Sequence, residues 1–297
     1  MQVQRNKNAK SNPKSQENVA SLFTCNGPDA ALEGRQTGAT MLQQTFELMP
    51  LWAFVAACGV TLVAGFVKGV VGFAMPLVMI SGLSLFLDPL VAVAGLLLPI
   101  VMSNLLQVMR FPLSEAGAVM REFWRYILII CVMIVLVAQF VTLLAPRTFY
   151  LALGVPVVIL SLIQLSGVRF RIAPRWRRPS QWGVGFVSGA IGGLTGTWGP
   201  PTVLYLIALD TPKAKQILVQ GVVYGLGSVS LFAGHLQSGV LNAVTAPWSA
   251  ALLIPAFLGM QLGFRMSDRL NPMMFRRVTL IVLIVAGANL VRRGLMG

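Results

Sequence analysis

From Leu48 to the C-terminus the chain is a succession of apolar runs separated by short breaks carrying polar residues, glycine or proline. A spanning α-helix needs about 20 apolar residues. The runs fall at 49–67, 69–87, 89–109, 123–144 and 148–166, then at 182–195, 198–210, 214–235, 247–264 and 277–293. The fold class this predicts is an all-α integral membrane protein. Composition agrees: 56% of residues are hydrophobic and 11% charged, against about 25% charged in a soluble domain. The chain has too few charges to cover itself with a wetted surface.

The net charge of +14 would suit a nucleic-acid binder if the basic residues formed one stripe. They lie instead in short segments between the apolar runs, where the cytoplasmic side of a membrane protein collects Lys and Arg. No nucleic-acid partner is expected. Residues 1–46 differ from the rest, being polar, mixed in charge and aperiodic. They read as a disordered tail, or as sequence upstream of a true start at Met41 or Met49. They lack the apolar core of a signal peptide.

Two sets of five runs flank the segment 168–181, which contains Arg169, Arg171, Arg175, Arg177 and Arg178. The chain therefore divides into a first membrane repeat at 47–167, an Arg-rich cytoplasmic linker at 168–181 and a second membrane repeat at 182–297. Each repeat opens on the same block: GFVKGVVG at 65–72 and GFVSGAIG at 185–192. A proline break follows each copy, at Pro76 and at Gly199-Pro200-Pro201. An Asp near a Pro comes next, at Asp88-Pro89 and at Asp210-Thr211-Pro212. Self-similarity on this scale indicates duplication. With the linker inside, Lys68, Arg110, Arg121, Arg125, Lys213, Lys215, Arg265, Arg269, Arg276 and Arg277 also fall inside. The opposite loops hold Asp88, Arg147 and little other charge. Five elements per repeat make the second enter the membrane opposite to the first, an inverted repeat of the kind found in secondary transporters. Arg292 and Arg293 then lie on the outer side, against the charge rule.

The glycine blocks admit two readings. Gly65, Gly69, Gly185 and Gly189 have the spacing of tight helix packing. Gly72 and Gly192-Gly193-Leu194-Thr195-Gly196-Thr197-Trp198-Gly199-Pro200-Pro201 have the prolines of a broken helix, tolerated in a bilayer only where the freed backbone faces protein or water. The prolines favour the break. A broken helix turns unpaired N–H groups and a positive dipole end toward a mid-membrane cavity, which attracts anions. Lys68, where the second copy has Ser188, would be the counter-charge, or would snorkel to the inner surface. Polar side chains inside apolar runs include Asn104 and Gln107 on one element and Gln220 and Tyr224 on its counterpart. Interhelical hydrogen bonding is their commoner role.

Other chemistry is weakly supported. No carboxylate lies mid-span: Asp88, Glu115, Glu122, Asp210 and Asp268 sit at run ends or in loops. His235 is the sole histidine, no HExxH or Walker motif occurs, and nothing orients His235 toward Ser228 as a triad needs. Cys25, Cys58 and Cys131 have no metal-site spacing. Neither an enzyme, a cofactor nor a metal is expected.

The blocks AGFVKGVVGFAMPLV and VGFVSGAIGGLTGTWGPPTVLYLIAL resemble the TauE/SafE family of sulfite exporters, over residues 48–293. The second block matches more closely. The first carries Phe73-Ala74-Met75 where family members often have glycine. The resemblance implies a multi-pass plasma-membrane carrier of sulfite, sulfonates or related organic anions. Its partners would be the bilayer, a small anion and a coupling ion. Combined with the residue reading, the expected substrate-binding residues are Lys68, Gly69, Gly72, Pro76, Asn104, Gly192, Thr195, Gly196, Thr197, Trp198, Gly199, Pro200 and Gln220. A passive anion channel and a non-transporting membrane scaffold are the alternatives.

Overall fold

The structure, a computed structural model, describes residues 49–167, 171–266, 269 and 271–296. The expected tail at 1–46, the linker residues 168–170 and Asp268 lie outside the described residues.

Among the described residues the regular elements are helical. In the stretch expected as the first repeat they are α1 (Leu51–Val71), α2 (Met75–Leu83), α3 (Pro89–Val108), α4 (Leu113–Glu122), α5 (Trp124–Ala138) and α6 (Pro146–Ser166). In the second they are α7 (Arg177–Thr195), α8 (Gly199–Ala208), α9 (Lys213–Gln237), α10 (Thr245–Ala251), α11 (Leu253–Met266) and α12 (Pro272–Met296). Seven spans among the described residues are long and apolar enough to cross a membrane: α1, α3, α5 with the turn after it, α6, most of α9, α10 with α11, and most of α12. Their outer faces expose large apolar side chains such as Ile159, Leu258, Ile281 and Val285, suited to lipid and a liability in water.

Each expected run corresponds to a helix or a pair of short helices. Two local differences have physical causes. The helix α4 falls outside the expected runs, because LSEAGAVMRE is polar and buries only Ala116 and Val119. The second repeat's first helix begins at Arg177, so the basic stretch 177–181 forms its opening turns.

Local chemistry sets the helix starts. Asp88 accepts the Leu90 N–H at 2.8 Å ahead of Pro89 at the first helical position, and the Asn271 amide oxygen does the same for Met273 and Met274. Pro99 lies inside α3 and cannot donate to the Gly95 carbonyl. The Ser249 hydroxyl of α10 donates to that carbonyl at 3.3 Å and accepts from Leu98 N–H, so the interruption stays hydrogen-bonded without water.

Glycines decide which helices touch. Gly65 and Gly69 of α1 lie backbone to backbone against Ala256, Met260 and Gly263 of α11, and the two helices run the same way. In the same manner Gly185, Gly189 and Gly193 of α7 run along Tyr126, Ile130 and Ile134 of α5. The first helix of each repeat is thus seated on a late helix of the other. The α6–α12 pair meets antiparallel at Gly154 and Gly287. Helices α3 and α9 fill the centre and are the most buried of the spans. Each short helix folds back along its predecessor: Gly82 of α2 faces Val60, and the Phe86 ring lies 5.8 Å from Trp52. Tyr205 of α8 approaches Ser180 near the start of α7.

Candidate substrate cavity between two helix breaks

Both first helices end on a left-handed glycine. Gly72 (φ 83°) closes α1 by returning its N–H to the Lys68 carbonyl, and Gly196 (φ 66°) closes α7 on the Gly192 carbonyl. Only a residue without Cβ adopts this conformation freely. Three residues on, a new helix begins, with Pro76 at the start of α2 and Pro200 and Pro201 at the start of α8. The two segments share their spacing, Gly72 to Pro76 and Gly196 to Pro200. Aligning GFVKGVVG with GFVSGAIG pairs Gly72 with Gly192, but the second break comes one helical turn later. Ala74 also has a left-handed backbone (φ 75°), which costs a residue with a Cβ about 1–2 kcal/mol.

The breaks face each other. Gly196 sits against Pro76, and Gly199 against Phe73 and Tyr224. Around them closes a cavity lined by Lys68, Asn104, Thr197, Trp198, Ile100 and Tyr224, together with the break residues themselves. At about 20 Å³ it has room for roughly one water. The N-termini of α2 and α8 both abut it, and neither start has a side-chain cap. The first N–H groups of a helix have no intrahelical acceptor, so these ends are positive. With Pro76, Pro200 and Pro201 lacking an N–H, the donors left are those of Met75 and Leu77 in α2 and of Gly199 in α8. Their far ends are closed by cations. Arg293 donates to the Ser84 carbonyl after α2, and Arg177 donates to the Leu209 carbonyl after α8 at 3.1 Å.

Lys68 is buried at 3% exposure, which excludes the snorkelling reading. Its ammonium donates to the Asn104 amide oxygen, and the Asn104 amide donates to the Tyr224 carbonyl at 3.1 Å. The Tyr224 hydroxyl reaches the Gly199 carbonyl at 3.2 Å. A chain of contacts therefore links α1, α3 and α9 to the α8 break. Among the described residues the one carboxylate–cation pair is Glu122–Lys215, at 2.6 Å, so no carboxylate balances Lys68. Thr195 and Thr197 hydroxyls bond each other, and the Thr195 oxygen also accepts the Thr197 N–H at 3.1 Å. Trp198, 2% exposed, is wedged between Gly192 and Gly227, its indole N–H without a partner.

Of the expected residues, Lys68, Pro76, Asn104, Gly196, Thr197, Trp198, Gly199 and Pro200 line this cavity. The others lie apart from it. Gly192 backs the Trp198 ring, and Thr195 stands behind Thr197. Gly69, Gly72 and Gln220 line a second cavity of about 210 Å³, which begins at Lys68 and continues past Gln107 to Arg110. Lys68 is common to both. Phe73 and Ala74 belong to the expected backbone break between Gly69 and Pro76, whereas Leu77 and Ile100 are ordinary apolar residues in the sequence until the breaks meet. Tyr224 and Gln107 stand out in the sequence only as polar residues in apolar runs.

Seen chemically, the centre offers one buried ammonium, two helix N-termini, an indole N–H and hydroxyl groups, with no mid-span carboxylate. That arrangement suits an anion. A family model described as Sulfite exporter TauE/SafE matches residues 57–290. No curated protein and no solved structure matches the chain.

Proposed function

The chain belongs to the Sulfite exporter TauE/SafE family, and from that membership we propose that it is a secondary transporter moving a small anion, sulfite or an organic sulfonate, through the cavity between its two helix breaks. The observation that carries this reading is the buried Lys68, with no carboxylate to balance it, beside two uncapped helix N-termini. A bound anion would supply the missing charge. Lys68 is the counter-charge. Asn104 holds it in place, and Thr197, Trp198 and the backbone around Gly196 and Gly199 shape selectivity.

We assign the two repeats opposite membrane orientations. Supporting this, α1 and α11 run the same way, as do α5 and α7. The Lys68–Asn104 and Trp52–Phe86 contacts make α1 and α3 co-directional. Contacts of Asn104 and Gln107 with Tyr224 and Gly221 set α3 against α9. The protein sits in the plasma membrane with the Arg linker in the cytoplasm. The larger cavity, ending at Arg110, is then the cytoplasmic approach to Lys68. A central cavity holding about one water favours alternating access over a permanently open channel.

The test is uptake into proteoliposomes with sulfite, sulfonates and chloride as substrates. Saturable flux that responds to an imposed proton or sodium gradient is expected. Flux linear in concentration and indifferent to gradients would point to a channel, and no flux for any anion would point to a scaffold.

A further inference from the structure

Away from the breaks, at the end of the bundle where the linker crosses, lies a cavity with a polar lining, about 470 Å³. Five basic side chains line it, Arg125, Arg175, Arg177, Arg178 and Lys215, against two carboxylates, Glu122 and Asp210. Of these, Glu122 is already paired with Lys215. Arg125, Arg175, Arg177 and Arg178 then stand against the one other carboxylate, Asp210, and of the four Arg177 is already engaged by the Leu209 carbonyl. Gln181, 8% exposed, also lines the cavity, and its amide oxygen is buried without a partner.

Two further features place this cavity at a lipid–water boundary. Trp124 and Trp182, in the opening turns of α5 and α7, are exposed and stack edge to face at 6.2 Å, and the exposed Trp176 follows Arg175. Indoles gather at that depth of a bilayer. Basic pockets between spanning helices at this level fit the phosphates of anionic lipids. A lipid's acyl chains hold its phosphodiester at that depth, an anchor that inorganic phosphate lacks, and the choice between lipids falls on net charge.

We propose that the linker cavity binds the headgroup of an anionic glycerophospholipid, with Arg125, Arg175 and Arg178 on the phosphodiester. The site is separate from the transport cavity and needs only that this end of the bundle lie at a membrane surface. It has a mechanical consequence. The same linker holds the far end of α8, through the Ile172 N–H on the Ala208 carbonyl at 2.8 Å and Arg177 on Leu209. A lipid seated here braces the helix whose other end forms the second break.

The experiment uses the full chain in detergent, titrated with phosphatidylglycerol, phosphatidylcholine or inorganic phosphate, and reads retained lipid by native mass spectrometry and the thermal midpoint. Phosphatidylglycerol should bind and raise the midpoint, and the other two should not. Each basic residue near an anionic surface contributes about fivefold in affinity, so Arg175→Ala with Arg178→Ala should weaken phosphatidylglycerol binding roughly 25-fold. The double Lys variant should retain most of the binding, and Arg292→Ala at the opposite end should change nothing. Equal response to phosphatidylcholine, or unchanged binding in the double Ala variant when it melts as the wild type does, overturns the site. An equal response to inorganic phosphate overturns the lipid as its occupant.

Discussion

A lysine ammonium enclosed by protein is normally held by a carboxylate, because burial removes the hydration that made the charge tolerable. Lys68 has an amide oxygen instead, and its neighbourhood supplies helix N-termini that repel a cation further. On the proposed reading, the position is settled only when an anion arrives. Charge-assisted hydrogen bonds contribute about 1.5–3 kcal/mol, so Lys68→Ala should lower anion uptake by at least about tenfold. The thermal midpoint without substrate should stay level or rise, since the variant no longer buries a charge. Wild-type uptake by that variant would remove the counter-charge role. The same logic accounts for Arg147 and Arg293, which the proposed orientation puts on the outer side. Arg293 is spent on the Ser84 carbonyl and lies over the Tyr150 ring, and Arg147 donates to the Gly294 carbonyl at 2.9 Å. They neutralise helix C-termini and so carry no information about which side faces the cytoplasm.

At the scale of elements, the glycines within one block divide into two jobs. Gly65 and Gly69 let α1 touch α11, where a Cβ on Gly69 would stand 2.5 Å from the Met260 carbonyl and 2.9 Å from the Gly263 Cα. That is backbone, and it cannot give way. Gly69→Val should destabilise the fold by about 1–3 kcal/mol or more, seen as loss of the monodisperse peak in detergent. Gly196 instead turns the chain, and a Cβ there would meet the movable ends of Leu96 and Leu231. Gly196→Val should leave a folded protein with abolished transport, because the left-handed bend is lost to a β-branched residue. Unaltered uptake would mean the break is not needed. The helix positions are legible in the sequence because ten apolar runs leave little freedom. The register of the second break is not, since the glycine alignment is anchored on packing glycines. Anchoring on proline, with Gly-x-x-x-Pro at 72–76 and at 196–200, brings the two breaks into register. The polar face of α4 hides that helix, and the apolar lining of the cavity hides Leu77 and Ile100.

For the molecule as a whole, the proposed orientation makes a topographic claim. The cavity that leads from Arg110 to Lys68 should open on the linker side. In a variant lacking Cys25, Cys58 and Cys131, Gln220→Cys should react with a membrane-impermeant maleimide from the linker side and not from the other, and sulfite should slow the reaction. Labelling from the opposite face alone would reverse the assignment. The exchange of partners between repeats also predicts that residues 47–170 and 171–297 expressed separately give no folded product. Co-expressed, they should recover a complex that survives purification. A stable isolated half would contradict the interlocking of α1 with α11 and of α5 with α7.

That interlocking also sets a timetable. Helix α1 leaves the ribosome early, while the partner that covers its glycine face begins roughly 180 residues later. At about 5–20 residues per second, α1 spends on the order of ten seconds or more in the membrane with Lys68 already in place and its permanent neighbour not yet made. The first described helix is therefore among the last to be completed. In that interval the protein depends on lipid, water or the insertion machinery to shelter a charge that the finished fold encloses.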